Sequence, residues 1–177
     1  DVNRSQWRWS LEDGGRRRPA LRTGLAAVRE IGEATWAAIA AAGAAGPFAG
    51  LADFCARTRL APEVVRNLIR AGACDGWGER RALLWQLGDL DLRPDALPLA
   101  PGCTPADLPP LAPLPPLEQT AWEYELMAAS PAGHLMRHHR AALRAGGVLT
   151  CGQVKRAPAG RRVQVAGFVV VRQRPAT

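Results

Sequence analysis

The sequence has 177 residues, a formal net charge of +7 and a hydrophobic fraction of 47%. This length suffices for one sizeable core or two small domains. No apolar run approaches the roughly 20 residues of a membrane span. The four cysteines form no Cys-x-x-Cys pair, which disfavours a zinc site and a disulfide framework. We therefore expect a globular, cytoplasmic protein with no metal ligands and no membrane contact.

The positive charge is carried almost entirely by arginine, because Lys155 is the only lysine. A basic surplus fits a nucleic-acid partner and fits an unspecialised basic surface equally well. A GC-rich genome accounts for the preference for arginine itself, as it does for the abundant Ala, Gly and Pro. The places where arginines cluster are therefore more informative than their number.

The first residues predict a small β-hairpin. Residues 6–11 alternate between polar and apolar side chains, as a short strand does. The sequence Asp13-Gly14-Gly15 is typical of a turn, and residues 20–25 fit the returning strand. Three arginines, 16–18, follow the turn signal.

From Leu25 to Leu90 the chain has helical character, interrupted by glycines. Pro62 suits the first turn of a helix that carries an apolar face. The predicted helices are residues 25–30, 33–42 and 51–57, the helix that starts near Pro62, and residues 79–87.

The composition changes sharply at residue 93. Residues 93–117 hold nine prolines, which predicts a semi-extended linker. Residues 118–129 and 134–144 predict two further helices. Residues 162–171 are rich in valine and predict a strand, the beginning of a sheet that this chain does not complete. The first and last residues lead us to expect an internal segment of a longer polypeptide.

The stretch Val28–Ala34 has the layout of a helix-hairpin-helix, with a tight turn at Gly32. Glycine lets a backbone approach a phosphate closely. The first N–H groups of the next helix have no intrahelical partner, and the helix dipole makes them attractive to anions. Such contacts hold DNA without reading its bases. An ordinary corner between two helices without a ligand explains this stretch equally well.

A second helix–glycine–helix pattern lies at Leu68–Asp75. Two such units suggest a tandem arrangement, although for Gly72 we prefer the role of a helix C-cap over that of a phosphate contact. Basic residues flank both patterns and predict a phosphate-tracking surface with strong salt dependence. The candidate DNA contacts from the residues alone are Arg22, Arg29, Gly32, Glu33, Ala34, Arg80 and Arg81.

No catalytic motif is found in the sequence. It has no Gly-x-Ser-x-Gly and no Walker-type phosphate loop. Phosphoryl transfer assisted by metal ions needs two or three converging carboxylates. Asp89 and Asp91 are a close pair, but the Pro-rich segment follows them directly. We therefore predict no catalytic residue, no metal ligand and no cofactor for this chain.

Several motifs resemble the C family of bacterial DNA polymerases. The most specific is the end, where Val163-Gln-Val-Ala-Gly-Phe-Val-Val-Val-Arg-Gln-Arg-Pro-Ala-Thr is similar to the opening of the OB domain in the error-prone branch. The family's Gly-His-Pro is Gly133-His134-Leu135 here, and no clamp-binding peptide of the replicative type is evident. The other matching stretches are residues 1–5, 21–34, 46–54, 68–75, 80–85, 130–134 and 147–150.

This resemblance implies a mainly α fold: a tandem helix-hairpin-helix domain with a short N-terminal β-hairpin, a Pro-rich linker, a helical segment and the first strands of an OB-type barrel. It implies that Arg172 and Arg174 contact single-stranded template. The implied domains are residues 1–24 (end of the fingers region), 25–92 (tandem helix-hairpin-helix), 93–117 (linker), 118–147 (helical connector) and 148–177 (start of the OB domain).

The expected function is to grip duplex DNA, without sequence preference, for an error-prone (translesion) polymerase whose active site and Mg²⁺ lie outside this chain. Translesion accessory proteins and, indirectly, the sliding clamp are further implied partners. Two alternatives stay open. The region is a protein-interaction platform for accessory factors, with residues 94–144 as the docking segment, or it is the equivalent part of the replicative polymerase III alpha subunit.

Overall fold

The computed structural model describes residues 1–14, 19–90 and 109–173, which fall into two compact units, Asp1–Ala128 and Ala129–Thr177. The boundary between the units lies inside the stretch that the sequence predicts as a helical connector. The helices of the described residues are too short or too polar to cross a membrane.

The N-terminal hairpin is confirmed, but it is shorter than predicted. Strand β1 (Ser10–Asp13) pairs antiparallel with β2 (Pro19–Arg22). Residues 6–9, predicted as strand, instead approach the turn at Gly24, where Leu25 and Ala26 donate backbone hydrogen bonds to Gln6 and Trp7. A Cβ on Gly24 would overlap the backbone of Arg8, so this close crossing requires glycine.

The described residues of the first unit also form five α-helices, which agree with the sequence-based helices apart from their ends. Residues 25–30 are the exception, because only Leu25–Ala27 form a helical turn, of 3₁₀ type. The predicted helix that begins at Glu118 starts at Pro116, since proline is favoured in the first turn. The helices are α1 (Glu33–Gly43), α2 (Leu51–Thr58), α3 (Pro62–Arg70), α4 (Arg80–Asp89) and α5 (Pro116–Met127).

The core of the first unit is apolar and continuous. Phe54 of α2 and Leu68 and Ile69 of α3 are completely buried, and α4 and α5 contribute Leu87 and Leu126. Complete burial of such side chains stabilises the fold by about 1.5–3 kcal/mol each. These contacts place the starts of the helices, and therefore the glycine corners between them, on a fixed scaffold.

The second unit contains α6 (Met136–Ala145) and α7 (Cys151–Val154). A capping box between Thr150 and Gln153 begins α7. The helix predicted at residues 134–144 is therefore confirmed.

The strand predicted at residues 162–171 is not formed in the described residues. One parallel bridge joins Leu149 to Val165, and the amide of Leu149 donates to the carbonyl of Gln164 at 2.9 Å. Valine-rich sequence favours a strand only when a neighbouring strand supplies a hydrogen-bond ladder. Val170 is 81% exposed, which shows that no sheet covers this stretch. The OB domain at 148–177 stays a prediction.

Candidate nucleic-acid interface

The first glycine corner runs from the 3₁₀ turn to the start of α1. The amide of Arg29 donates to the carbonyl of Leu126 at 2.8 Å, and Ile31 is buried in the core, so both ends of the turn are fixed. Glu30 between them has a φ of 67°. This left-handed conformation is unfavourable for a residue with a Cβ. Glu30 therefore adopts a backbone conformation that glycine would adopt without strain.

Gly32 is the N-cap of α1 and is exposed. Its φ of −93° and ψ of 175° are ordinary extended backbone, and a Cβ built on it would meet no atom within 4 Å. Neither the backbone conformation nor the packing of the unit therefore requires glycine here. The absence of a side chain leaves open space directly in front of the helix.

The N-terminus of α1 presents backbone donors to this space. No side chain caps the helix, and the first hydrogen bond within it runs from the amide of Trp36 to the carbonyl of Gly32. The amides of Glu33, Ala34 and Thr35 thus have no acceptor within the described part of the chain. Together with the positive end of the helix dipole, they form a site that an anion of phosphate size fits.

The two arginines predicted to assist this corner are in different electrostatic states. Arg29 is exposed at the corner itself. Arg22 on β2 instead forms a bidentate ion pair with Glu12 on β1, with Nη2 2.6 Å from Oε2. The hydrogen bonds from Arg22 lower the pKa of Glu12, and those to Glu12 raise the pKa of Arg22. Arg22 therefore joins the hairpin strands, and Glu12 offsets most of its charge.

The second glycine corner ends α3 in a Schellman motif. Gly72 has a φ of +82°, its amide donates to the carbonyl of Ile69, and the amide of Ala73 donates to that of Leu68. A Cβ on Gly72 would overlap the guanidinium of Arg80. The fold therefore needs this glycine, in agreement with its interpretation as a C-cap.

Arg80 fills the second corner from the inside. Its side chain is 7% exposed and donates to both carboxylate oxygens of Asp75, to Glu123 of α5 at 2.7 Å and to the carbonyl of Arg70 at 2.9 Å. Every guanidinium nitrogen has a partner within the protein. Its burial makes Arg80 a structural residue, whereas the sequence suggests a DNA contact.

Arg81, the next residue along α4, is also engaged with α5. Nη2 lies 2.7 Å from Glu118, and Nη1 donates to the carbonyl of Ala112 at 3.0 Å. Arg70 of α3 pairs with Glu125 in the same way. The structure thus attaches Arg80 and Arg81 to α5 and does not gather them around Gly32. In the sequence, Glu123 is only an acidic residue within an amphipathic helix, and nothing there predicts this role.

The remaining predicted residues belong to the second unit. Arg172 is exposed, and Arg174 lies outside the described residues. Among the residues that the structure describes, no group of three His, Cys, Asp or Glu side chains could hold a metal ion.

Comparison with known proteins shows what the chain resembles. Residues 1–84 match the family model for a helix-hairpin-helix motif. The whole chain aligns with error-prone DNA polymerases of Anaeromyxobacter dehalogenans (strain 2CP-C), at 35% identity over 188 residues, and of Nocardia farcinica (strain IFM 10152), at 36%. The chain is a relative of the error-prone DNA polymerases. It spans 16% of the length of each of these two relatives. A helix-hairpin-helix motif and the resemblance to the error-prone branch are both confirmed, whereas the tandem arrangement and its bounds, residues 25–92, stay predictions.

Proposed function

We propose that this segment holds DNA for an error-prone DNA polymerase, through phosphate contacts that do not read the bases. The observation that carries the proposal is the corner at Gly32, within the helix-hairpin-helix match. It combines an uncapped helix start with a glycine that the fold itself does not require. Both features suit a backbone phosphate approaching the amides of Glu33 and Ala34.

The balance of charge at the corner favours backbone amides over side chains as the main contacts. Glu33 and Glu30 bring negative charge, and Arg29 is the exposed cation in this stretch. A helix N-terminus carries about half of an elementary positive charge. We therefore propose Gly32, Ala34 and the amide of Glu33 as contacts, with Arg29 as the side-chain partner.

The remaining functions come from the relatives. They are named error-prone DNA polymerases, and we propose template-directed nucleotide transfer past damaged bases as the activity that this segment serves. We assign catalysis and its Mg²⁺ to other parts of such a polymerase. Contacts with translesion accessory proteins, and through them with the sliding clamp, belong to the same proposal.

The substitution Gly32→Asp tests the proposal, because it separates folding from DNA binding. Aspartate is a preferred N-cap, so the melting temperature should stay the same or rise slightly. Its carboxylate would occupy the amides of α1 and repel a phosphate. We expect the affinity for a short labelled duplex, measured by fluorescence anisotropy, to fall about tenfold, since a charged hydrogen bond contributes about 1.5–3 kcal/mol.

Gly50→Asp is the matched control. Gly50 is the N-cap of α2, has extended backbone, and has no atom within 4 Å of a built Cβ. There, however, Asp53 already accepts a hydrogen bond from the amide of Ala49. The control should bind DNA within about twofold of the parent, as expected for a substitution away from the contact. Equal losses in the two variants, or none in either, would contradict the proposal.

A further inference from the structure

The net charge of the chain belongs to its second unit. Residues 129–177 contain nine Lys and Arg and no Asp or Glu, whereas residues 1–128 contain 14 arginines and 16 carboxylate residues. The formal charges are +9 and −2, which together give the +7 of the whole chain. Residues 1–84, which match the helix-hairpin-helix family, hold 13 arginines and nine Asp and Glu, a formal charge of +4, and residues 85–128 bring the first unit to −2. The highest density of positive charge, and with it the strongest long-range attraction to a polyanion, therefore lies in the second unit.

Ion pairs sharpen this difference. In the first unit, seven described arginines lie within 4.0 Å of a carboxylate oxygen. In the second unit, no Lys or Arg that the structure describes forms an ion pair, and the sequence supplies no carboxylate side chain there. Even the half-buried Arg140 has one guanidinium nitrogen, Nη1, without a partner in the described residues. The described cations of this unit are thus not paired with any carboxylate among the described residues.

Several of these cations lie on one face of a helix, and others directly follow a helix. Arg137, Arg140 and Arg144 are spaced by three and four residues on α6 and therefore share one face. Lys155 and Arg156 follow α7 directly and are exposed. The capping box at Thr150 and the backbone hydrogen bond from Val148 to Leu143 fix the connection between the two helices. This basic face is therefore a built surface.

The chemistry of the surface points to backbone phosphates. Proteins that bind single strands use several aromatic side chains as stacking platforms for bases. Residues 129–177 contain no Trp or Tyr and a single Phe, Phe168, besides three histidines. A surface with many unpaired cations and little stacking capacity suits the nucleic acid with the highest density of phosphates, which is a duplex.

We propose that the unit Ala129–Thr177 is a second DNA-binding site, which binds the phosphate backbone of duplex DNA through the basic face of α6 and the residues that follow α7. The inference rests on the proposed DNA-holding function and adds to it. The corner at Gly32 positions one phosphate through backbone amides, and the second unit supplies the salt-dependent attraction.

The test uses the full chain and compares two triple variants that each remove three positive charges. Arg137→Gln, Arg144→Gln and Arg156→Gln change exposed cations of this surface. Arg4→Gln, Arg8→Gln and Arg66→Gln change exposed cations of the first unit. Affinity for a labelled duplex is measured by anisotropy between about 50 and 200 mM salt, where phosphate contacts lose most of their strength.

The second-unit variant should bind at least about tenfold more weakly, with a slope of log K against log salt that is shallower by about 2–3. The first-unit variant should stay within about twofold. Replacing the same three second-unit arginines by lysine should keep the slope, because either cation neutralises a phosphate, and should largely keep the affinity. Circular dichroism melting checks that every variant is folded.

Three other outcomes would overturn the inference. Equal losses in the two triple variants would show that charge acts without a localised surface. If the second-unit variant binds duplex DNA as tightly as the parent, the second unit is not a DNA-binding site. If the chain binds single-stranded DNA more tightly than duplex DNA, base stacking and not contact with the phosphate backbone explains the binding.

The Gly32→Asp variant keeps this test separate from the proposed function. It should weaken binding with a change in slope of less than about 1, because amides that contact a phosphate add no cation. A loss there, with none in the second-unit variant, would leave the proposed function standing and remove only the second site.

Discussion

The two glycine corners of the first unit belong to one scaffold, but the fold requires the glycine of one corner and not that of the other. Gly72 has a positive φ and borders the guanidinium of Arg80, so the fold has no room for a side chain there. Gly32 has ordinary backbone angles and open space around it. A glycine that the fold requires is explained by the fold. A glycine that it does not require leaves room for a group from outside the chain.

The surroundings of the two corners differ in the same sense. At the second corner, Cys74 is 1% exposed, and burial raises the pKa of its thiol to about 12. The guanidinium of Arg80 fills the inside of this corner. At the first corner, Arg29, Gly32 and Glu33 are exposed to solvent. The same sequence pattern therefore marks a structural joint in one place and a candidate binding site in the other.

The largest expected effect comes from opening the closed corner. Arg80→Gln would leave the carboxylate of Glu123, which is 1% exposed, without its guanidinium partner. Loss of one partner from a buried pair costs about 3–5 kcal/mol. We expect the free energy of unfolding, measured by urea denaturation, to fall by about that amount. Where the variant is still folded, its affinity for DNA should be that of the parent.

Arg81→Gln is the control for this prediction. Arg81 is the neighbouring residue on α4, and its pair with Glu118 is partly exposed. Such pairs contribute about 0–1 kcal/mol. A loss of stability equal to that of Arg80→Gln would contradict the assignment of Arg80 as the buried joint between α3, α4 and α5.

A smaller effect on stability should distinguish the glycines themselves. Gly72→Ala places a Cβ at a φ of +82° and against Arg80, and we expect a loss of about 1–3 kcal/mol in the free energy of unfolding. Gly32→Ala meets no atom and needs no special φ. The free energy of unfolding should fall by less than about 1 kcal/mol, because the only expected loss is that alanine is a poorer N-cap than glycine. Thermal melts of the two single variants measure the difference, and equal losses would remove the contrast between the corners.

The sequence predicted the helices of the first unit well, because glycines and prolines mark their ends and apolar residues recur at helical spacing. It could not separate the two corners. The distinction depends on the position of Arg80, and the partner that fixes that position, Glu123, lies 43 residues away along the chain. A local pattern contains no information about such a distant contact.

Two further outcomes have similar physical reasons. The valine-rich stretch at 162–171 has strand propensity but lacks a hydrogen-bond ladder in the described residues, so propensity alone was misleading. The concentration of positive charge after residue 128 was visible in the sequence, as the absence of Asp and Glu from 129–177. The sequence pattern around Arg22 did not reveal Glu12, the carboxylate that pairs with it in space.

The smallest expected effect concerns the strained residue of the open corner. Glu30→Gly removes both the left-handed strain at a φ of 67° and a negative charge two residues before Gly32. Relief of the strain, about 1–2 kcal/mol, is partly offset by the greater backbone entropy that glycine gains in the unfolded chain. Affinity for duplex DNA should rise by about threefold, because one exposed charge at short range in water contributes about 1 kcal/mol or less.

Glu30→Gln separates the two causes, since it removes the charge and keeps the strained backbone. Its affinity should rise as much as that of Glu30→Gly, whereas its melting temperature should not increase. Glu63→Gln removes an exposed carboxylate from the first turn of α3 and should leave DNA binding unchanged. If the Glu63 variant gains affinity equally, only the total charge of the chain matters. The open corner would then not be a preferred contact for the phosphate.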